Sequence, residues 1–537
     1  MTLVPITTPV ANSAAQSPRL VLKACIFVTG LAGIVAEYVM ATLASYLLGD
    51  AVLQWTLTVS LMLFAMGVGS RLSRFVHGPV PVLDAFVAVE LLLSVVCAIS
   101  ATLAYFLSGW TTNLAPVVYG LSFAIGLLIG IEIPLATRLN QAFDELRINI
   151  SSVLEYDYYG ALLGGVLFAF VALPFLGLTY TPIAVGGLNL VVAGVLFARH
   201  RSVFVWPRRL SASFAGVSVF LVALAVLAEP IVLFGEQRKY RDPVVYQDQT
   251  RYQRIVMTRF RDYHWLYLDG HTQFSSLDEE RYHEPLVHPA MLASAARGRV
   301  LVLGGGDGLA LREVLKHPEV SAVTLVDIDP AMTMLGRTHE VLVALNRHAF
   351  ADPRVSVVNQ DGYTYLRDAD NQFWDVILVD LPDPRTIDLA RLYGREFYRL
   401  ARQHLSPGGV IATQATSPFF TRRAFLSVRA TMDAAGLVTA PYHNHVQTMG
   451  ELGWVLGMRG RDDVPADNVT DHDRDRDWLQ RHLAGLSFER LDTRFLNRDA
   501  MVSMLHFGKG FDDPVEVSDE ANFAVFYYYL DGDWDLN

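Results

Sequence analysis

Hydropathy changes abruptly near residue 235. Before that point the chain is a succession of long apolar runs, and after it apolar and charged residues are mixed. No soluble core accommodates the first part, because a helix that is apolar on every side has no face for water. A bilayer crossing needs about 20 apolar residues per helix. Seven stretches are of about that length: 22–47, 53–70, 82–107, 114–136, 153–176, 180–198 and 213–234. Lipid offers the backbone no hydrogen-bond partners, so these stretches are expected to be helices. The reading is an N-terminal α-helical multi-span membrane domain over 1–235, with about seven helices, and a second domain over 236–537. Gly126, Gly130, Gly160, Gly164 and Gly165 lie inside the runs, where small residues let helices approach closely. Arg19 and Lys23 precede a first run that continues past Tyr46, which predicts an uncleaved first span rather than a removed signal.

Basic residues mark cytoplasmic loops. Arg71 and Arg74 follow the second stretch, Arg138 and Arg147 the fourth, and Arg199, Arg201, Arg208 and Arg209 the sixth. This places the N-terminus inside, and seven crossings then leave the second domain outside. If the second domain instead lies inside, either one segment does not fully cross or the charge rule fails here. Glu37, Glu90, Glu132, Glu155 and Asp157 fall in or at the edges of the runs, with no Lys or Arg in mid-span. Buried ionisable groups in a membrane are costly; the alternatives are neutral or interfacial acids in a packed bundle, or a cation path. Cys25 and Cys97, the two cysteines, both lie in apolar runs and read as small buried hydrophobes. The formal charge of −11 argues against a nucleic-acid partner and suits a cationic substrate.

From Arg299 onward, strand-like and helix-like segments alternate. The strands are RVLVL (299–303), AVTLVDI (322–328), RVSVV (354–358), WDVILVD (374–380) and GVIATQ (409–414). That alternation predicts a parallel doubly wound sheet, whose ligands bind beyond the carboxyl ends of the strands. Gly304, Gly306 and Gly308 form a tight turn after the first strand, and Asp327 ends the second. A glycine turn followed about 20 residues later by an acid favours a nucleoside whose ribose hydroxyls the acid takes. Asp307, Asp361, Asp380 and Asp383 fall at other strand ends. Five carboxylates around one crevice, with few basic residues in the same motifs, repel one another unless a cation sits among them. The sequence brings no histidine cluster with ligand spacing, which points to an organic amine rather than a metal. Upstream, 243–270 alternates like a β-hairpin segment, and the next stretch supplies Gln273, Tyr282, His283 and Glu284. His283 and Glu284 also fit a plain helix-face pair.

In order, LDGxxQ, DExxYHE, GGGDG, REVLKH, VDIDP, a DG pair, DxxDP and REFY resemble the spermidine synthase (polyamine aminopropyltransferase) family over about residues 240–460. The N-terminal spans resemble its membrane-anchored bacterial branch. The resemblance implies a C-terminal α/β Rossmann-like, methyltransferase-type domain preceded by a small β-hairpin segment. It implies transfer of an aminopropyl group from decarboxylated S-adenosylmethionine, a co-substrate, to a diamine, usually putrescine. The products are then spermidine and 5′-methylthioadenosine, with no permanently bound cofactor and no metal. Gln253, Gly304, Gly306, Asp307, Asp327, Asp361 and Gly362 are implied to bind the co-substrate, with Asp327 on the ribose, Asp361 and Gly362 at the adenine, and Asp307 on the aminopropyl amine. Gln273, Tyr282, His283 and Asp383 are implied to position the diamine, and Asp380 to be the general base. The expected setting is a bacterial inner membrane, multi-pass, with the catalytic domain in the cytoplasm, the lipid bilayer as a partner and a homo-oligomeric assembly.

Several residues depart from the family pattern. Leu309 stands where a glycine is usual, Asp327 replaces a glutamate, Leu381 and Pro382 replace small hydroxyl residues, and Arg385-Thr386-Ile387 replaces a Gly-Pro. This loop borders the amine pocket, so the acceptor stays open among putrescine, agmatine, cadaverine and longer polyamines. Two alternatives remain. A methyltransferase using ordinary S-adenosylmethionine shares the glycine loop and Asp327 but needs neither YHE nor DxxDP. A membrane polyamine transporter or sensor with a polyamine-binding soluble domain accounts for the membrane acids but not for an intact Asp380 and Asp383.

Overall fold

The computed structural model describes residues 13–48, 51–76, 82–111, 113–141, 146–459, 469–509 and 511–532. Two compact units divide after Arg241. The sequence boundary at 235 falls within the last apolar helix, which runs on to Lys239.

The first unit contains α1 (Ser13–Leu48), α2 (Ala51–Leu72), α3 (Val82–Ser108), α4 (Ala115–Asn140), α5 (Leu146–Leu167), α6 (Gly177–Arg199) and α7 (Pro207–Lys239). Among the described residues six runs are long and apolar enough to cross a membrane, the fifth being a continuous 52 residues, Ile148–Arg199. The sequence reading separates this run into two stretches. The structure instead links them through a π-helical segment, Phe168–Leu176, and bends them at Gly177, whose φ is +62°. Thr181 Oγ1 donates to the carbonyl of Ala172 at 3.2 Å. In a straight helix those residues stand about 13 Å apart, so α5 and α6 are two arms of a sharp bend. Close packing explains the interior glycines. A Cβ on Gly130 of α4 would lie 2.1 Å from the Met66 carbonyl of α2, and one on Gly160 of α5 would lie 2.0 Å from the Phe27 carbonyl of α1. Of the five membrane acids, Glu90 and Glu132 are buried. Glu37 and Asp157 are half-buried and Glu155 is exposed, so the five do not line one shared interior.

The second unit opens with β1 (Val244–Gln249), β2 (Arg254–Phe260), β3 (Tyr263–Leu268) and β4 (His271–Ser275), an antiparallel sheet in sequence order. The predicted hairpin segment is thus a four-stranded sheet. Next come α8 (Glu280–Ala293), β5 (Arg299–Gly304), α9 (Leu309–Leu315), β6 (Ala322–Asp327), α10 (Pro330–Thr338), β7 (Val355–Asn359), β8 (Trp374–Asp380), β9 (Leu405–Gln414), β10 (Leu437–Val446) and β11 (Gly450–Arg459). β5 to β11 form one sheet of order β10-β11-β9-β8-β5-β6-β7. The five strands read from the sequence, from β9 to β7, are parallel as expected, whereas β11, between β9 and β10, runs antiparallel to both. The reason is the short link between Val446 and Gly450; a parallel crossover needs a dozen or more residues.

Residues 300–303 of β5 are fully buried because helices cover both faces of the sheet. Val300 and Val302 pack with α8 residues on one side, whereas Leu301 and Leu303 pack with Phe397 and Phe425 on the other. A parallel strand buried on both faces reads as a continuous apolar run. β5 leads to β6 on one side and pairs with β8 on the other, so the crevice for ligands opens at the carboxyl ends of β5 and β8.

Candidate active site

Three strand ends, those of β5, β6 and β8, meet at the glycine turn. Gly304 pairs with Asp380 across β5 and β8, and a Cβ there would lie 2.0 Å from the Asp380 carbonyl. Gly304 also has φ +83°, a region that L side chains rarely adopt. The turn then reaches β6, where the Gly306 N–H donates to Asp327 Oδ2 at 3.1 Å and the Asp329 N–H donates to Asp327 Oδ1 at 2.8 Å. Asp307 accepts the N–H of Leu309 at 2.8 Å. Burial pushes Asp327 up to about 7 against these hydrogen bonds. Burial likewise raises Asp307 to about 6, with His283 opposing and Asp380 adding to the rise.

Asp380 closes the far side. Its Oδ1 accepts the Tyr282 hydroxyl at 2.8 Å. Burial raises its carboxyl, with His283 and Tyr282 holding it back. Burial and the neighbouring Asp380 keep the Tyr282 phenol far above its ordinary range, so it remains a donor. Tyr282 and His283 are delivered by α8, which β4 feeds directly. His283 is buried, with Nδ1 3.0 Å from Glu279 Oε2 and 2.9 Å from the Glu279 carbonyl. Burial opposes its charge, yet Glu279, then Asp307 and Asp380, raise the imidazole to about 9.

The structure therefore brings Asp307, Asp327, Asp380, Tyr282 and His283 together. Two of the few cationic groups lie among these acids: His283 next to Tyr282, and Arg391, which pairs with Asp361 at 3.2 Å. Asp361 caps the helix that Gly362 begins, accepting from the Thr364 N–H at 2.9 Å and hydroxyl at 2.7 Å. Asp383 accepts from Gln414 Nε2 at 2.8 Å and from the Tyr529 hydroxyl at 3.2 Å; burial raises it. Gln253 donates to Asp329 Oδ2 at 3.0 Å, beside the end of β6. Gln273 donates to the His271 carbonyl at 3.2 Å, within its own strand. Glu284 points elsewhere, accepting the N–H groups of Arg494, Phe495 and Leu496 at 2.6, 2.9 and 2.7 Å, so the His283–Glu284 pair splits into a site residue and a loop anchor.

Sequence reasoning missed Glu279, Arg312, Asp329, Gln414, Tyr529 and Tyr393, whose hydroxyl accepts from Gln414 Nε2 at 3.2 Å and donates to the Pro382 carbonyl at 3.0 Å. The first three lie inside the motifs DExxYHE, REVLKH and VDIDP, so their motifs marked them without showing their partners. Gln414, Tyr393 and Tyr529 carry no local signal. Among the described residues no three His, Cys, Asp or Glu side chains converge as metal ligands. Carboxylates, a phenol and amides suit ammonium and hydroxyl groups.

Fold and crevice define an enzyme of the methyltransferase-type α/β class. The spermine/spermidine synthase domain matches residues 279–468. Polyamine aminopropyltransferase 2 of Aquifex aeolicus is 41% identical over 95% of this chain and 98% of its own. Polyamine aminopropyltransferase 1 of Ralstonia nicotianae is 38% identical over 99% of both chains. A crystal structure of spermidine synthase in complex with the transition-state analogue AdoDATO covers 49% of this chain and 85% of its own, at 26% identity and a TM-score of 0.42. The chain belongs to the polyamine aminopropyltransferase family and is an aminopropyltransferase enzyme of the spermidine synthase type.

Proposed function

We propose that this enzyme transfers the aminopropyl group of decarboxylated S-adenosylmethionine to putrescine, giving spermidine and 5′-methylthioadenosine. The observation that carries this reading is Asp380, set at the end of β8 against the glycine turn, with the Tyr282 hydroxyl on one carboxylate oxygen. The sulfonium co-substrate supplies a good leaving group. An alkyl ammonium resembles a lysine side chain, with a pKa of about 10.4, so roughly one molecule in a few thousand is free amine at pH 7. Asp380 takes the proton from the attacking ammonium. The freed amine forms a C–N bond to the aminopropyl carbon as the C–S bond breaks, and its electron pair leaves with sulfur as a neutral thioether. Asp327 and Gln253 hold the nucleoside, with Asp327 on the ribose; Asp361 and Gly362 border the adenine. Asp307 takes the amine of the aminopropyl arm, and Gln273, Tyr282, His283 and Asp383 position the acceptor. Orientation of two cations in an acidic slot supplies the rest of the rate.

The enzyme sits in the bacterial inner membrane through its apolar helices, with the catalytic unit on the cytoplasmic side where its co-substrate is made. Full-length protein in detergent, given the co-substrate and a panel of amines and read by mass spectrometry, tests the reaction. Spermidine formation from putrescine is expected. A methylated product from ordinary S-adenosylmethionine, or a strong preference for agmatine or cadaverine, overturns the corresponding part. Protease applied to one face of inverted membrane vesicles tests sidedness; cleavage of the catalytic unit is expected.

A further inference from the structure

One buried cation belongs to neither substrate. His283 is 2% exposed, and its Nδ1 faces only acceptors, the Glu279 carboxylate and the Glu279 carbonyl. Nδ1 therefore carries a hydrogen in either protonation state. The state of Nε2 depends on charge. Glu279 is gripped from the far side by Arg312, whose NH1 and NH2 donate to Oε1 and Oε2 at 2.8 and 2.9 Å. A two-pronged guanidinium contact fixes the carboxylate in place and in its ionised form. Arg312 is itself anchored by Glu313 at 2.7 Å and by the Leu345 carbonyl at 2.8 Å. A cavity of about 160 Å³, lined by Glu279, Arg312 and Lys316 among others, lies on that side, away from the glycine turn.

Five charged or titratable groups surround the imidazole: Glu279 at the start of its own helix, Tyr282 beside it, Asp307 from the loop after β5, Asp380 at the end of β8, and Arg312 of α9, which reaches it through Glu279. Glu279 touches the ring at Nδ1, and on another side Tyr282, whose ring lies 4.9 Å from it, donates to Asp380. We infer that Glu279, held by Arg312, is a positioning residue that keeps His283 an imidazolium against Asp307 and Asp380, so that both acids stay ionised for the incoming ammonium groups. Without that cation, two buried carboxyls next to each other hold a proton between them, and a protonated Asp380 accepts nothing. The inference rests on Asp380 being the base.

The test is the pH dependence of kcat/KM for the full-length protein in detergent. Glu279→Gln is expected to move the acid limb to higher pH by about one unit or more, the effect of losing an opposite charge within a few ångströms. Its high-pH plateau should stay closer to wild type. His283→Gln should shift the limb equally, and the double variant no further, because Glu279 acts through His283. Glu279→Asp, which keeps the charge, should restore the limb in part. A folded Glu279→Gln protein with an unmoved limb overturns the inference, and so does a double variant whose shift is the sum of the two. If Glu279→Gln does not fold, His283→Gln decides alone: a shifted limb supports the inference and an unmoved one overturns it. Asp380→Asn run in parallel separates the two ideas. Near wild-type turnover there removes the base, whereas an unmoved limb beside an inactive Asp380→Asn removes only the positioning role.

Discussion

Replacing Asp380 with Asn separates proton acceptance from shape. The amide keeps an oxygen for the Tyr282 hydroxyl, which now donates to Oδ1 at 2.8 Å. The backbone contact is untouched, since Gly305 donates to the Asp380 carbonyl. The fold and the co-substrate site should therefore survive, and only the proton acceptor is lost. Loss of a general base typically costs about 10²–10⁴ in rate, or roughly 2.7–5.4 kcal/mol of barrier. The free-amine fraction gives an independent figure. With about one amine in a few thousand unprotonated at pH 7, a variant that waits for it should lose about 10³. The same logic predicts partial recovery as the pH rises toward the amine's own pKa. The assay is 5′-methylthioadenosine release by the full-length protein at saturating substrates, with calorimetric binding of the same product as the control. Near wild-type turnover at neutral pH, or a deficit that does not shrink at alkaline pH, refutes the reasoning.

Asp327→Ala removes the carboxylate that orders the Gly306 and Asp329 N–H groups; calorimetry with 5′-methylthioadenosine should show affinity weakened by about tenfold or more, at about 1.4 kcal/mol per tenfold. Glu284→Ala strips the acceptor from three N–H groups, each worth about 1–3 kcal/mol if left unsatisfied, so the thermal midpoint should drop by several degrees, with Glu284→Gln losing less. The Glu279–His283 pair gives stability a pH window. Burial opposes both charges, yet His283 and Arg312 hold Glu279 down to about 2 from 4.5, while Glu279 lifts His283 to about 9 from 6.5. The glutamate's contribution is complete above its unfolded value and is lost as pH falls through about 2; the histidine's is complete below 6.5 and is lost as pH rises through about 9. Melting across pH should show both losses in the wild type and a flatter curve in Glu279→Gln.

The sequence by itself determined what is local or periodic. Apolar runs announced the helices because lipid leaves the backbone no other pairing. Strands β5, β6, β7 and β8 were legible to within a residue or two, since a sheet covered on both faces demands unbroken apolar runs. The glycine turn and Asp327 were legible because a turn and a strand end impose residue types at fixed spacing. Motif order carried the family, and with it Tyr282, His283, Asp380 and Asp383. Only the tertiary structure decided which groups face one another. Tyr282 meets Asp380 across 98 residues, Arg312 meets Glu279 across 33, Tyr529 meets Asp383 across 146 and Glu284 meets Leu496 across 212. The antiparallel β10–β11 hairpin and the bend at Gly177 were likewise hidden. Hydrophobic period says that a segment is buried but not against what. Charge is the sharper case: five acids in a row of motifs read as a cluster with few cations, and packing alone set a buried imidazole on a glutamate that an arginine holds.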